Sequence, residues 1–166
     1  MKKIRNYAFA LLAIMFVFAG CDKKSSDVDL RDAFVGTYSY VTDGEMTFST
    51  FIPGANPKLP LQSEGTIKIE KLSKQDSVLI SGAFGNRIDP FKAVVKGNQL
   101  EFVEDSYVAK GQTFEALMTI SNKTATLAKD TLTWADDHVV CDGTMMSVEI
   151  SGEGNVTMTA IKKSAN

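Results

Sequence analysis

The 166-residue sequence predicts an all-β domain, built as an antiparallel up-and-down meander of roughly eight to ten strands. Apolar and polar residues alternate with a period of two in many short stretches, which is typical of strands with one buried face. Residues that favour turns separate these stretches at short intervals. Helical periodicity is scarce, and Asp27–Phe34 is predicted to form at most one helical turn.

The first predicted strands lie in the N-terminal half. Two stretches show the alternation clearly: Met46 with Phe48, and Ile67 with Ile69. The dipeptide Asp43-Gly44 is a hairpin signal between two strand-like segments. Three prolines argue against ladder pairing in Ile52–Ser63, so this segment is predicted to be a long surface loop.

Further turns divide the C-terminal half into strands. Ser73–Asp76 is one predicted turn, and Gly97-Asn98 joins Phe91–Lys96 to Gln99–Val103. The other predicted breaks are Gly111, Asp136-Asp137, Asp142-Gly143 and Gly152–Gly154. Apolar faces between them are predicted for Phe114, Ala116, Met118 and Ile120, for Val148 and Ile150, and for Val156 and Met158.

So many short strands would leave two sheet edges exposed unless the sheet closes on itself. Exposed edges promote pairing with other chains, and closure into a barrel removes them. A closed barrel is therefore the favoured architecture, with a β-sandwich as the alternative.

The N-terminus has the order of an export signal. Lys2, Lys3 and Arg5 precede the apolar run Tyr7–Phe18, and small residues precede Cys21. As a helix the apolar run would extend about 18 Å, less than the ~30 Å hydrocarbon core of a bilayer. An ordinary cleaved signal and an uncleaved anchor are the alternatives to a lipoprotein signal.

Phe18-Ala19-Gly20-Cys21 resembles the bacterial lipobox, in which cleavage occurs before a lipidated cysteine. The resemblance implies a signal peptide over residues 1–20, acylation of Cys21 and a flexible tether over residues 21–33. It also implies attachment to a bacterial cell envelope, with the outer membrane expected. The periplasmic and surface faces of that membrane both stay open.

Both ends of the remaining chain resemble lipocalin-like proteins. In Phe34–Tyr38, Tyr38 stands where the lipocalin Gly-x-Trp pattern places a tryptophan at the barrel floor. Gly154–Lys163 resembles the last strand of small lipocalin-like (calycin-type) lipoproteins of Gram-negative envelopes. The resemblance implies a lipocalin-like barrel over residues 34–163, followed by a tail over residues 164–166.

Composition and motifs argue against several function classes. With 18 basic and 20 acidic residues, the chain lacks the basic footprint of a nucleic-acid-binding protein. It contains no nucleophile elbow, P-loop or dinucleotide fingerprint, so no catalytic residues are assigned and an enzyme is not expected. The mixed cluster Asp136–Asp142 is irregularly spaced for a metal site, and neither a metal nor a cofactor is expected.

Aromatic residues are the remaining clue to function. An eight-stranded barrel has an interior that side chains can fill or that can hold one small ligand. The candidate ligand wall consists of Tyr38, Phe48, Phe102, Phe114 and Trp134. One hypothesis is a membrane-tethered barrel that binds a small apolar or amphipathic molecule. The other is a ligand-free lipoprotein that docks onto an envelope protein or glycan through Ile52–Ser63, and a small hydrolase is a third class without an assigned residue set.

Overall fold

A computed structural model describes residues 28–49, 56–82, 87, 89–112 and 114–164, and its strands confirm the all-β prediction. These residues form one short helix, α1 (Arg31–Phe34), and eleven strands. The strands are β1 (Gly36–Ser49), β2 (Lys58–Pro60), β3 (Ser63–Lys71), β4 (Ser77–Gly82), β5 (Phe91–Lys96), β6 (Gln99–Phe102), β7 (Ser106–Lys110), β8 (Phe114–Thr119), β9 (Thr124–Ala128), β10 (Thr131–Met145) and β11 (Val148–Lys162).

Eight of these strands close an antiparallel up-and-down barrel. Their order around the ring is β1-β3-β4-β5-β6-β9-β10-β11, and β11 pairs with β1 to complete it. Two register pairs illustrate the closure on either side of β11: Tyr38 lies opposite Lys162, and Thr131 lies opposite Ile161. The closed ring excludes the sandwich alternative and is consistent with a lipocalin-like architecture.

Three strands are much longer than the barrel requires. β1, β10 and β11 continue beyond the ring and form a second curved sheet with β2, β7 and β8, in the order β2-β1-β11-β10-β8-β7. We call this the upper sheet. The same three strands therefore build both layers, and the passage between them coincides with an irregular register between Asp136 and Val139 on β10.

Each layer has its own apolar core. The barrel cluster fills the ring with buried side chains: Phe34, Tyr38, Tyr40, Ile67, Ile69, Val78, Ile80, Phe91, Ala93, Val95, Leu100, Phe102, Ala125, Leu127, Leu132, Trp134, Met158 and Ala160. The upper cluster consists of Met46, Phe48, Ala109, Ala116, Met118, Val139 and Cys141. Val156 packs against both clusters, so the junction between them is also in apolar contact.

The helix α1 covers the floor of the barrel. Phe34 is fully buried in the barrel cluster, and its carbonyl accepts a hydrogen bond from the Tyr38 hydroxyl at 2.7 Å. The Arg31 guanidinium donates to the carbonyls of Leu72 and Lys74 in the β3–β4 turn. The Arg31 and Lys71 side chains beside Asp29 also lower the pKa of that carboxyl group, which therefore stays ionised in this clamp.

Some glycines that resemble turn signals lie inside long strands, so the predicted breaks at Asp43-Gly44, Asp142-Gly143 and Gly152–Gly154 are wrong. A Cβ on Gly44 would lie 2.2 Å from the Asn155 carbonyl oxygen. A Cβ on Gly143 would lie equally close to the carbonyl oxygen of Glu115. These positions need glycine because neighbouring backbones approach closely, and the strands continue through them.

Two further predictions need correction. The segment Ile52–Ser63 was predicted to stay out of the sheet because it contains three prolines. Lys58–Pro60 within it is nevertheless an edge strand paired with β1. Pro60 is compatible with this position because an edge strand leaves one side unpaired. Asp136-Asp137 does not form a turn between strands, because β10 runs through both residues. The pairing of β10 with β11 is irregular between Asp136 and Val139.

The predicted buried face of Val148 and Ile150 is wrong at Val148, which is exposed because it begins β11 beside the turn that follows Met145. The other turn predictions and the face of β8 are confirmed. Ser73–Asp76 and Gly97-Asn98 connect strands, and Gly111 lies between β7 and β8. Along β8, Ala116 and Met118 are buried while the intervening residues are exposed, as the alternation predicts.

Candidate functional site

A pocket of about 130 Å³ lies where the barrel and the upper sheet meet, and we call it the junction pocket. Its walls come from both layers and from the connection between β2 and β3. The lining residues are Thr42, Pro60, Leu61, Gln62, Ser63, Tyr107, Met118, Ile120, Trp134, Val139 and Val156. A buried apolar cavity of about 150 Å³ is known to take up benzene, so this pocket has the size for one small ring or a short chain.

The apolar wall of the junction pocket is rigid. Trp134 is 4% exposed, and its indole N–H donates to the Asn122 carbonyl at 2.7 Å. Its ring also packs edge-to-face on Phe102, with 6.0 Å between ring centroids. Val139 and Met118 enter from the buried upper cluster. The wall is therefore held by packing and by a hydrogen bond.

On the opposite side, most polar groups are already paired. Thr42 Oγ1 lies within hydrogen-bond distance of Ser63 Oγ and accepts from the Ser63 amide at 2.8 Å. The exposed Gln62 donates its side-chain amide to Asp43. These interactions fix the β2–β3 connection against β1 and leave its hydroxyls engaged.

The Tyr107 hydroxyl differs from these groups. It makes no hydrogen bond to any residue in the described part of the chain. Burial raises the pKa of Tyr107 to about 12, so the phenol is protonated at neutral pH. Tyr107 therefore brings to the lining of the junction pocket a protonated hydroxyl that has no partner among the described residues.

A charged pair lines a narrow cleft that shares Tyr107 with the junction pocket. Arg87 is buried, pairs with the Glu104 carboxylate and donates from Nε to the Asp89 carbonyl at 2.9 Å. Its guanidinium lies 4.5 Å from the Phe91 ring centroid and 5.3 Å from that of Tyr107. Arg87 thus contacts both rings through cation–π interactions.

A buried carboxylate, Asp136, organises the loop behind Trp134. It accepts hydrogen bonds from the Ser121 amide at 2.7 Å, the Ser121 hydroxyl, the Asn122 amide at 3.1 Å and the His138 amide at 3.0 Å. Four donors satisfy its charge without a cation. Because Asn122 also accepts from Trp134, Asp136 helps to set the position of the pocket wall.

The five predicted ligand-wall residues do not form one surface. Three belong to the barrel cluster, namely Tyr38, Phe102 and Trp134. Phe48 belongs to the upper cluster, and the half-buried Phe114 packs against it. Of the five, Trp134 lines the junction pocket, and Phe102 lines the narrow cleft between Arg87 and Trp134.

The residues 136–142 do not converge. Asp136 and Cys141 are buried in different surroundings, while His138 is exposed. Burial raises the pKa of Cys141 to about 11, so its thiol is protonated and packs as a small apolar group. Across the described ranges, no three His, Cys, Asp or Glu side chains come together as a metal site.

Tyr107 and Val139 were not among the predicted site residues, and the β2–β3 connection was predicted only as part of the docking loop Ile52–Ser63. Period-two alternation could have placed Tyr107 on the face shared with Ala109. No local signal marks the irregular register of β10 that brings Val139 next to Trp134, because it depends on pairing with β11.

The lipidation prediction at Cys21 lies outside the described residues. Within those residues, no helix has both the length and the apolar character needed to cross a bilayer. No protein-family model matches the chain, and no curated protein matches it significantly in sequence.

Proposed function

We propose that this protein is a lipid-anchored, lipocalin-like protein of a bacterial cell envelope, which binds one small apolar or amphipathic molecule in the junction pocket. The observation that carries the proposal is the contrast between a filled barrel and an open junction. Below the junction, Tyr38, Ile69 and Leu100 are fully buried and occupy the interior with side chains. Above it, Tyr107 and Trp134 border unfilled space.

The lining suits a molecule with an apolar body. Leu61, Ile120 and Val156 supply an apolar surface, and burying a ligand against it removes apolar area from water at roughly 25 cal/mol per Å². Polar rim groups near Gln62 remain accessible to a more polar end of the ligand. The volume limits the enclosed part to a small ring or short chain.

A second candidate is the ligand-free docking lipoprotein. The edge strand β2 favours it, because Lys58–Pro60 is exposed and Leu59 presents 41% of its surface to solvent. In this case the pocket would receive no free small molecule, and the partner would be an envelope protein or glycan.

Native mass spectrometry of the protein purified from its own envelope tests the binding function. We expect a retained small molecule in the wild type and its loss in Val156→Phe, because the larger side chain fills the junction pocket. The matched control is Ile161→Phe on the outer face of β11, where Ile161 is 57% exposed. Retention by Val156→Phe, or a co-purified protein or glycan in place of a small molecule, would contradict the proposal.

The anchor is tested separately. Cys21→Ala removes the thiol that would be acylated, so the variant should move from the detergent-requiring membrane fraction to the soluble fraction. Cys141→Ala is the control, because that thiol is buried and should not affect fractionation. Membrane retention of Cys21→Ala with unchanged gel mobility would indicate an uncleaved helical anchor.

A further inference from the structure

We infer that the junction pocket selects an uncharged ligand carrying one hydrogen-bond acceptor, which the Tyr107 hydroxyl recognises. The inference rests on the proposed ligand-binding function and specifies its substrate class. Apolar complementarity alone does not distinguish ligands of equal size, whereas a hydrogen bond from Tyr107 would.

The exclusion of charge follows from the lining. Among the residues that the structure describes, none that lines the pocket carries a charged side chain. The nearby Arg87 is already paired with Glu104, stacks on the Tyr107 ring and does not line the junction pocket. Moving an ion from water into such surroundings without a partner is costly, so a charged ligand would remain in solvent.

The preference for an acceptor follows from the Tyr107 hydroxyl. Thr42 and Ser63 engage each other, and the Trp134 N–H donates to Asn122, whereas the Tyr107 hydroxyl has no hydrogen-bond partner in the described part of the chain. It is protonated at neutral pH and can donate. A ligand without an acceptor would displace water from this hydroxyl and leave it unpaired, which lowers affinity.

Ligands of matched size can test this selectivity. Cyclohexanone has an acceptor, methylcyclohexane has nearly the same shape without one, and cyclohexylammonium carries a charge. Dissociation constants are measured by ligand-detected NMR on the full-length protein in nanodiscs, with empty nanodiscs subtracted. Emission from Trp134, the single tryptophan of the chain, reports binding next to it, and loss of the signal in Val156→Phe assigns that binding to the junction pocket.

We expect the wild type to bind cyclohexanone roughly 2- to 12-fold more tightly than methylcyclohexane, the range for one net hydrogen bond. Tyr107→Phe should bind both equally and keep its affinity for methylcyclohexane. Tyr38→Phe is the control, because it removes a buried hydroxyl outside the pocket and should leave the preference unchanged.

The outcomes separate this inference from the proposed function. An unchanged preference in Tyr107→Phe, or binding of cyclohexylammonium as tight as that of cyclohexanone, would overturn the inference while leaving a ligand-binding pocket. Failure of the wild type to bind any of the three compounds would overturn both. An unchanged unfolding midpoint for Tyr107→Phe shows that the variant is folded.

Discussion

Phe102→Ala is expected to lower the free energy of unfolding by about 3–5 kcal/mol, as for other large aromatic residues truncated in a packed core. Phe102 is 5% exposed and contacts Phe91 and Trp134 edge-to-face. Those rings are held on other strands and cannot collapse fully into the space that the truncation leaves. The measurement is urea denaturation with linear extrapolation to water.

The neighbouring Val103 supplies the control for this experiment. It is 55% exposed, so Val103→Ala should change stability by about 0.5 kcal/mol or less. A loss of less than about 1 kcal/mol in Phe102→Ala would mean that the ring borders a yielding interior. That result would place the proposed ligand cavity in the barrel and not at the junction.

Asp136→Ala should destabilise the protein by roughly 3–5 kcal/mol. The substitution removes the acceptor of three backbone amides and one hydroxyl at a residue that is 1% exposed. Hydrogen bonds to a charged group each contribute about 1.5–3 kcal/mol, although such losses are not additive within one network. Thermal unfolding measures the loss, and Trp134 emission should shift because its Asn122 acceptor moves.

Asp137 provides a matched comparison one residue along the chain. Its side chain is exposed, so Asp137→Ala should leave both stability and tryptophan emission close to those of the wild type. Equal effects of the two substitutions would show that the carboxylate of Asp136 does not organise the loop behind the pocket.

The strands of the barrel were predictable because the sequence signals for strands and turns are local. Burial of alternate residues gives strands such as β8 a period of two in the sequence. Gly97 was recognised as a turn residue from the sequence, and its φ of 63° in the structure is one that glycine adopts readily. The same reasoning failed at Gly44. There the glycine accommodates the backbone of β11, and a sequence cannot distinguish close approach of a distant strand from a local turn.

The site was less predictable than the fold for a related reason. Aromatic residues were identified as a ligand wall by size and type, but Phe102 and Phe48 entered two separate cores. Which aromatic side chains border open space depends on where β1, β10 and β11 leave the barrel and enter the upper sheet. That point is set by the irregular pairing of β10 with β11, which no local pattern encodes.

The pairing of the first strand with the last determines when this protein can begin to be stable. Thr157 donates its hydroxyl to the Asp43 carbonyl across 114 positions of sequence, and β11 also forms the seam with β10. Contacts so distant in sequence close slowly, because the chain entropy of the intervening loop must be overcome first. Until the C-terminal strand emerges, both edges of the nascent sheet remain open to other chains. Strand β11 must therefore be synthesised before the barrel can close, and a nascent chain of this topology depends on being kept apart from its neighbours until then.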